Sequence, residues 1–178
     1  MTEQLVFTIG HSTRSSDEFL DVLKSYDIEV LVDVRRMPGS RRLPQFDSST
    51  LQRSLSDRGI DYCWIAQLGG RRRTVSASSD SGWRHPAFRA YADHIASEEF
   101  AKGLFELLML AYGRRTAVMC AEVLWWRCHR RLIADVLVTL GWTVVHIFTA
   151  EKRELHRLAP PARLVGTELS YQTALISA

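Results

Sequence analysis

The feature that most constrains the fold of this chain is a regular alternation of short apolar runs with amphipathic stretches. The apolar runs are rich in β-branched residues, which is typical of strands buried on both faces of a sheet. The amphipathic stretches carry apolar residues at helical spacing. This order predicts an α/β fold with a mostly parallel, five-stranded sheet and helices on both of its faces. The five predicted strands are residues 5–9, 30–34, 62–66, 116–120 and 142–148.

Helix signals stand between these strands. Ser15 and Glu18 form a capping box, S-x-x-E, ahead of apolar residues at helical spacing. Asp47 and Ser97 each precede a further helical stretch, and a fourth covers residues 132–140. The last three stretches end at a glycine, which is a frequent helix terminus. We therefore expect four helices packed against the sheet.

Length and composition indicate one globular domain. The chain has 178 residues, of which 46% are apolar and 24% charged. We expect residues 1–178 to form a single α/β domain, with a proline-broken tail, 151–178, packed on it. The serine-rich stretch 75–81 predicts a loop.

The cysteine count and the apolar stretches bear on the cellular location. Three cysteines are too few, and odd in number, for a secreted disulfide scaffold. The first residues carry no basic leader segment, and no apolar stretch is long enough to span a membrane. We expect a cytoplasmic protein without a membrane partner.

The basic residues favour an anionic partner. Of 23 basic residues, 20 are arginine, whose planar guanidinium group suits oriented binding of phosphate and carboxylate. Nine arginines but only three acidic residues lie between residues 35 and 73, a local net charge of +6. An anionic small molecule or a nucleic acid is the expected partner, and the oligomeric state stays open.

Polar and reactive residues follow four of the predicted strands. In a parallel sheet, the carboxyl ends of the strands meet at one edge, where ligands bind. We therefore expect these residues to lie near one another. They are His11 and Ser12, Arg35 and Arg41, Gly69 and Gly70, Cys120 and Glu122, and the triplet Cys128, His129 and Arg130.

The two cysteines carry the most specific chemistry of this set. A cysteine thiolate is a nucleophile, and a helix N-terminus or a nearby cation lowers the pKa of the thiol. Cys128 precedes a predicted helix beside His129, and Glu122 is available as a general acid or base. Cys120 has a second interpretation, since a cysteine ending a buried strand is often a small apolar core residue. His11 is likewise either a general base or a structural hydrogen-bonding residue.

The remaining residues suit anion binding. Arg35, Arg41 and Arg130 are expected to hold an anion, with Ser12 and the Gly69–Gly70 backbone close to it. An ion pair between Asp33 and one of these arginines is an alternative for a carboxylate that ends an apolar strand. The chain has no C-x₂-C motif, so we expect neither a metal nor another cofactor.

Taken in order, these motifs resemble the domain-of-unknown-function 488 family. The resemblance covers nearly the whole chain, and it implies a compact bacterial or archaeal α/β domain without an assigned reaction. The five residues between the C-A-E and C-H-R motifs, 123–127, are V-L-W-W-R here, four of them apolar, whereas the family usually has a polar segment. The matching residues are T8-I-G-H-S12, V32-D-V-R35, P38-x-S-R41, Q45-F46, L68-G-G70, C120-A-E122, C128-H-R130, and His156, Gly166 and Tyr171 in the tail.

Three classes of function follow from the residues. The first is an enzyme acting on a nucleotide, a nucleic acid or another phosphorylated compound through the Cys, Glu and His residues at the strand ends. The second is a nucleic-acid-binding module without catalysis, and the third is a regulatory domain with a structural site. A rhodanese-like sulfurtransferase is a further alternative, because V32-D-V-R35 and a later strand ending in Cys120 resemble that family. The glycine-free residues after Cys120 depart from its anion-binding loop.

Overall fold

A computed structural model describes residues 4–73 and 82–172 of the chain, so the predicted loop 75–81 lies outside the described residues. Strands and helices alternate as the apolar pattern predicts. The strands are β1 (Leu5–Gly10), β2 (Val30–Asp33), β3 (Asp61–Trp64), β4 (Thr116–Cys120), β5 (Thr143–Ile147), β6 (Arg153–Leu155), β7 (Arg163–Val165) and β8 (Glu168–Ser170). The α-helices are α1 (Ser16–Ser25), α2 (Ser48–Ser56), α3 (Pro86–Ile95), α4 (Glu98–Ala111) and α5 (Arg130–Thr139).

The five predicted strands form a parallel sheet, and a sixth strand extends it. The strand order is β3-β2-β4-β1-β5-β6, in which β6 runs antiparallel to β5. The prediction of five strands is therefore one short, and β7 and β8 form a separate hairpin. β6, β7 and β8 have three residues each and are mostly exposed, so the sequence contains no apolar run to reveal them.

Helices cover both faces of the sheet, as predicted. Alternate residues of β4 belong to different cores, with Ala117 and Met119 on one face and Val118 and Cys120 on the other. α1 and α2 cover the first face with Phe19, Leu23, Leu51 and Leu55. α3, α4 and α5 cover the second face with Tyr91, Phe100, Leu107, Leu132 and Leu137.

The predicted caps confirm why the helices begin where they do. The Ser15 side chain accepts from the Glu18 amide, and Glu18 bonds back to the Ser15 amide, which completes the capping box. Asp47 and Ser97 cap α2 and α4 through backbone amides. α3 was not predicted, because its apolar residues are interrupted by polar ones and its only start signal is Pro86.

The tail packs on the domain beside α5. β6 pairs with β5, and Ala162 and Tyr171 are buried against the α3–α5 face. The tail thereby brings polar side chains to the second face of the sheet. In the two described segments, no helix has the length and the apolar character needed to cross a bilayer.

Candidate functional site

Cys120 and Cys128 meet at the carboxyl edge of the sheet, as their positions after β4 and before α5 predict. Cys120 is the last residue of β4, and Cys128 precedes His129, the N-cap of α5. Their Sγ atoms are 2.7 Å apart. Cys120 is 3% exposed and Cys128 6% exposed, so both residues are buried.

Gly10 allows the loop between the cysteines to pass over β1. A Cβ atom at this position would lie 1.9 Å from the carbonyl oxygen of Glu122, so no other residue fits without moving the backbone. Trp125 closes the loop from the other side, where its ring stacks on His146 with centroids 4.2 Å apart. The loop that carries Cys128 toward Cys120 is thus held by packing on both sides.

Arg130 lies against this pair with a fully buried guanidinium group. Its Nε donates to Cys120 Sγ at 3.1 Å, and its Nη2 donates to the carbonyls of Glu122 and Val123. Within residues 4–73 and 82–172, Arg130 forms no ion pair with a carboxylate. A buried cation is costly without a compensating anion, and the sulfur atoms are the groups in contact with Arg130 that can carry a negative charge.

The pKa values of the two thiols are shifted in opposite directions, and Cys128 is the one favoured to ionise. Burial by itself raises the pKa of this thiol, but a hydrogen bond from Cys120 and the charges of His129 and Arg130 outweigh burial and hold the pKa well below its ordinary value. The Arg130 backbone amide, at the N-terminus of α5, also faces the Cys128 sulfur at 3.5 Å. Burial, and then the hydrogen bond and charge of Cys128, raise the pKa of Cys120. The opposite shifts favour ionisation of Cys128, with Cys120 as its hydrogen-bond donor.

His129 adjoins the thiolate through a defined tautomer. Its Nε2 lies 3.1 Å from the Val34 carbonyl, which can only accept, so Nε2 carries a hydrogen. Its Nδ1 faces Cys128 Sγ at 3.5 Å, and a proton on Nδ1 would point at the sulfur. Gly70 makes room for the ring, because a Cβ there would lie 2.8 Å from Nδ1. The position of Gly70 is explained by His129 packing.

Behind Arg130 lies a buried set of polar side chains that we call the histidine network: Thr8, His146, His156, Asp135 and Tyr171. The tyrosine hydroxyl donates to Asp135 Oδ2 at 2.9 Å, and His156 Nε2 donates to Oδ1 at 2.8 Å. His156 Nδ1 is 2.9 Å from His146 Nε2, and His146 Nδ1 is 2.7 Å from the Thr8 hydroxyl. The network brings together residues of β1, β5, α5 and the tail.

The hydrogen positions in the histidine network follow from its two ends. A carboxylate only accepts, so His156 Nε2 donates to Asp135, and in the neutral form of the ring its other nitrogen accepts from His146. His146 in turn accepts from the Thr8 hydroxyl, and Thr8 Oγ1 accepts from Arg130 Nη1 at 3.2 Å. Burial lowers the pKa of His146 to about 2, and the charges of His156 and Arg130 lower it further, so its ring is neutral. With a neutral His156, each hydrogen bond along the path from Arg130 to Asp135 has its donor on the Arg130 side and its acceptor on the Asp135 side.

Arg35 and His11 lie on the opposite face of the sheet, in what we call the Asp33 cluster: Asp33, Arg35, His11, Phe46 and Tyr62. The Arg35 guanidinium forms an ion pair with Asp33 at 2.6 Å and donates to the Phe46 carbonyl at 2.8 Å. Tyr62 donates to the same carboxylate at 2.8 Å. The ion-pair alternative for Asp33 thus describes Arg35, whose guanidinium is already occupied.

His11 belongs to this cluster through its ring. It stacks on Phe46 with centroids 4.1 Å apart, and its Nδ1 donates to the Ser12 carbonyl at 2.8 Å. Burial lowers its pKa to about 4, against the effect of that hydrogen bond, and the charge of Arg35 lowers it further. The His11 ring is thus neutral and stacks on Phe46, on the face of the sheet opposite the side chains of Cys120 and Cys128.

The other predicted site residues lie around the edge of the sheet. Glu122 is exposed, and its carboxylate accepts from the Leu124 amide at 3.2 Å and contacts neither sulfur. Arg41 is exposed on the loop after β2. Ser12 adopts a left-handed backbone with φ 52° and donates its amide to the Ala121 carbonyl, while Gly69 donates to the Ala66 carbonyl. The amides of Ser12 and Gly69 are thus engaged in hydrogen bonds within their loops.

A cleft of about 590 Å³ has four arginines in its lining, and we call it the arginine cleft. Its lining is Arg36, Arg71, Arg72, Arg73, Ala90, Asp93, His94 and Ser97. Arg72 pairs with Glu99 at 2.9 Å and donates to backbone carbonyls. Arg36, Arg71 and Arg73 are exposed. Tyr91 connects the cleft to the cysteine site, because its ring contacts His94 in the lining, at 5.6 Å between centroids, and His129 beside Cys128, at 5.1 Å.

Sequence reasoning did not assign a role to Thr8, Asp135 or His146. Thr8 and His146 are single polar residues within apolar strands, and Asp135 interrupts the apolar stripe of α5. A polar residue at a core position of a strand or helix was the available signal. Among the residues described here, no group of three His, Cys, Asp or Glu side chains has the arrangement of a metal site.

The fold and the site define a small α/β protein with a buried cysteine–arginine centre at the carboxyl edge of its sheet. The chain belongs to the family described as domain of unknown function DUF488, whose model matches residues 15–137. The match includes both cysteines, Arg130 and Asp135, whereas Thr8, His146, His156 and Tyr171 lie outside it. No curated protein and no solved structure matches the chain.

Proposed function

We propose that this protein is an enzyme in which the Cys128 thiolate attacks an anionic substrate bound in the arginine cleft. One observation carries the proposal: Cys128 touches Cys120, whose sulfur accepts from a buried Arg130 that contacts no carboxylate of the described residues. A thiolate at a helix N-terminus beside a cation is the arrangement that activates catalytic cysteines.

The roles of the neighbouring residues follow from their contacts. Cys120 donates a hydrogen bond to the thiolate, and Arg130 supplies the positive charge that keeps the pair ionised. His129, at 3.5 Å from Cys128, is placed to move a proton to or from the sulfur or the leaving group. Glu122 contributes its backbone carbonyl to Arg130, so a direct acid–base role for its carboxylate is not part of the proposal.

The exposed arginines are the reason for proposing an anionic substrate. Arg130 is occupied by the sulfurs and Arg35 by Asp33, so neither is available to hold the substrate. Arg36, Arg71 and Arg73 are exposed around one cleft. A phosphorylated group in that cleft would lie on the His129 side of the thiolate.

The nucleophile is tested by the pH dependence of iodoacetamide labelling, with each cysteine followed in its own tryptic peptide. The peptides are 59–71 for Cys63, 116–127 for Cys120 and 128–130 for Cys128. We expect the midpoint for Cys128 to lie well below the ordinary thiol value of about 8.5. Cys63 is an internal control, because burial and the Glu106 carboxylate raise its pKa to about 11. Ordinary midpoints at both Cys120 and Cys128 would overturn the proposal.

Anion binding is tested with inorganic pyrophosphate and a thermal-shift readout. The double variant Arg36→Ser, Arg71→Ser should lose most of the stabilisation that pyrophosphate gives to the unaltered chain. The matched control is Arg41→Ser, Arg42→Ser, which removes two exposed arginines that do not line the cleft. Equal losses in the two double variants would show that the cleft is not the anion site.

A nucleic-acid-binding module without catalysis is the second candidate, favoured by the exposed arginines of the same cleft. It predicts binding of short single-stranded DNA that weakens steeply with salt and is unchanged by Cys128→Ser. Ordinary labelling midpoints together with such binding would favour this function over the enzyme.

A further inference from the structure

We propose that Cys120 and Cys128 also form a reversible intramolecular disulfide, which makes the site a thiol–disulfide redox centre. The observation behind it is the 2.7 Å separation of the two Sγ atoms. A disulfide bond is about 2.05 Å long, so the sulfurs need to approach by less than one ångström. Disulfide formation needs no anionic substrate, and it lies beyond the proposed nucleophilic reaction.

The backbone around both cysteines is fixed before any bond forms. Cys120 is in register with Gly10 inside the parallel sheet, and its carbonyl accepts from the His11 amide at 2.9 Å. Cys128 donates its amide to the Trp125 carbonyl at 3.1 Å. Arg130 ties the intervening loop to the same site through the Glu122 and Val123 carbonyls. The closed loop therefore has little conformational entropy left to lose.

The two sulfurs are chemically unequal in the way that stepwise exchange requires. The Cys128 thiolate attacks a low-molecular-weight disulfide, the S–S bond of that molecule breaks, and one thiolate leaves with its electron pair. Cys120 then loses its proton, attacks Cys128 Sγ in the mixed disulfide, and expels the second thiolate, which takes up that proton. The protein dithiol is oxidised by two electrons, and one small disulfide is reduced to two thiols.

Oxidation removes the negative charge of the Cys128 thiolate from beside Arg130. The histidine network then connects Arg130 to a second anion, the Asp135 carboxylate. Thr8, His146 and His156 connect the guanidinium to Asp135 in both states, because none of these contacts involves sulfur. The oxidised site therefore keeps a buried carboxylate aligned with its buried cation. This second anion makes a disulfide state compatible with the same fold.

The test uses the full chain with Cys63→Ser, equilibrated in glutathione buffers that range from reducing to oxidising. We expect the intact mass to fall by two hydrogens and to recover on addition of dithiothreitol. Trypsin cleaves after Arg127, between the two cysteines, so the disulfide appears as peptide 116–127 linked to peptide 128–130. Cys63 lies on β3 beside Glu106, apart from both cysteines, and its removal leaves only this pair.

Two single-cysteine variants complete the experiment. In the Cys63→Ser background, Cys120→Ser should stop at a glutathione adduct on Cys128, and Cys128→Ser should react far more slowly. The proposal is overturned if the Cys63→Ser chain accumulates glutathione adducts, or stays reduced in the most oxidising buffer, without the linked peptides. A low labelling midpoint for Cys128 in that same chain would leave the proposed enzyme function standing.

Discussion

Two buried arginines on opposite faces of the same sheet are neutralised in different ways. Arg35 touches its carboxylate directly, with 2.6 Å between its Nη2 and Asp33 Oδ2. Arg130 touches two sulfur-bearing residues and reaches Asp135 only through the histidine network. Each aspartate is also bonded by one tyrosine, Tyr62 in the first case and Tyr171 in the second.

The comparison indicates which of the two arginines can stabilise an anion at a reactive group. A guanidinium in contact with a carboxylate has its charge compensated and holds its neighbours in place, as Arg35 does for β2 and the Phe46 carbonyl. When the nearest carboxylate is remote, the positive charge of a guanidinium acts mainly on the groups in contact with it. Arg130 therefore favours an anion at the cysteines, and Arg35 favours a fixed loop.

The largest expected effect is a difference between Asp33 and Asp135 in how much each contributes to the free energy of unfolding. Asp33→Asn leaves Arg35 buried without its direct partner, and we expect the free energy of unfolding to fall by about 3–5 kcal/mol. Asp135→Asn should cost less, because Arg130 keeps the Cys128 thiolate as a nearby anion. Urea unfolding of both variants measures the difference. Equal losses would mean that Arg130 depends on Asp135 as much as Arg35 depends on Asp33.

The next prediction compares the arginines themselves. Arg130→Met should raise the iodoacetamide labelling midpoint of Cys128 by about two pH units, equivalent to about 2.7 kcal/mol. Arg35→Met is the matched control, since it also removes a buried cation but on the face away from the sulfurs. The midpoint should stay unchanged in that control. An unchanged midpoint in Arg130→Met would assign the thiolate to His129 and the helix N-terminus alone.

The two tyrosines give a smaller and more symmetric effect. Tyr62→Phe and Tyr171→Phe each remove one hydrogen bond to a buried carboxylate, and we expect each to lower the free energy of unfolding by about 1.5 kcal/mol. Circular dichroism during urea unfolding measures both losses. Only Tyr171→Phe should also alter the labelling midpoint of Cys128, by a few tenths of a pH unit. A shift of that kind in Tyr62→Phe would contradict the separation of the two faces.

The smallest effect, counted per pH unit, is a slope of stability with pH. The pKa of His11 falls from 6.5 to about 4 and that of His146 from 6.5 to about 2, in both cases chiefly because of burial. The unfolded chain binds more protons than the folded chain below pH 6.5, so stability is lost on acidification. Each histidine contributes at most about 1.4 kcal/mol per pH unit within its window. His11→Asn should flatten the curve only between pH 6.5 and about 4, and an unaltered curve would contradict the burial of His11 as a neutral ring.

Much of the fold could be predicted because the main strands are buried and the main helices are capped. The capping box at Ser15 and Glu18 marks the start of α1, and the apolar run of β4 marks its place in the sheet. The strands β6, β7 and β8 could not be predicted, because three mostly exposed residues are too few to show an alternation of apolar and polar residues. Their positions depend on pairing with distant parts of the chain.

The candidate site was predicted in part, for reasons of strand geometry. The meeting of Cys120 and Cys128 follows from their positions after β4 and before α5. The separation of His11 from Cys120 depends on the alternation of side chains, because Gly10 is the residue in register with Cys120 and the next residue points to the other face. The partners of His146 and His156 come from four elements, and such long-range contacts leave no spacing in the sequence.

The histidine network joins Thr8, near the start of the chain, to Tyr171, close to its end. During synthesis, Cys120 and Cys128 leave the ribosome well before His156 and Tyr171 do. Until His156 and Tyr171 are synthesised, Asp135 lacks the two hydrogen-bond donors that they supply. The histidine network is therefore complete only after Tyr171 has been added to the chain.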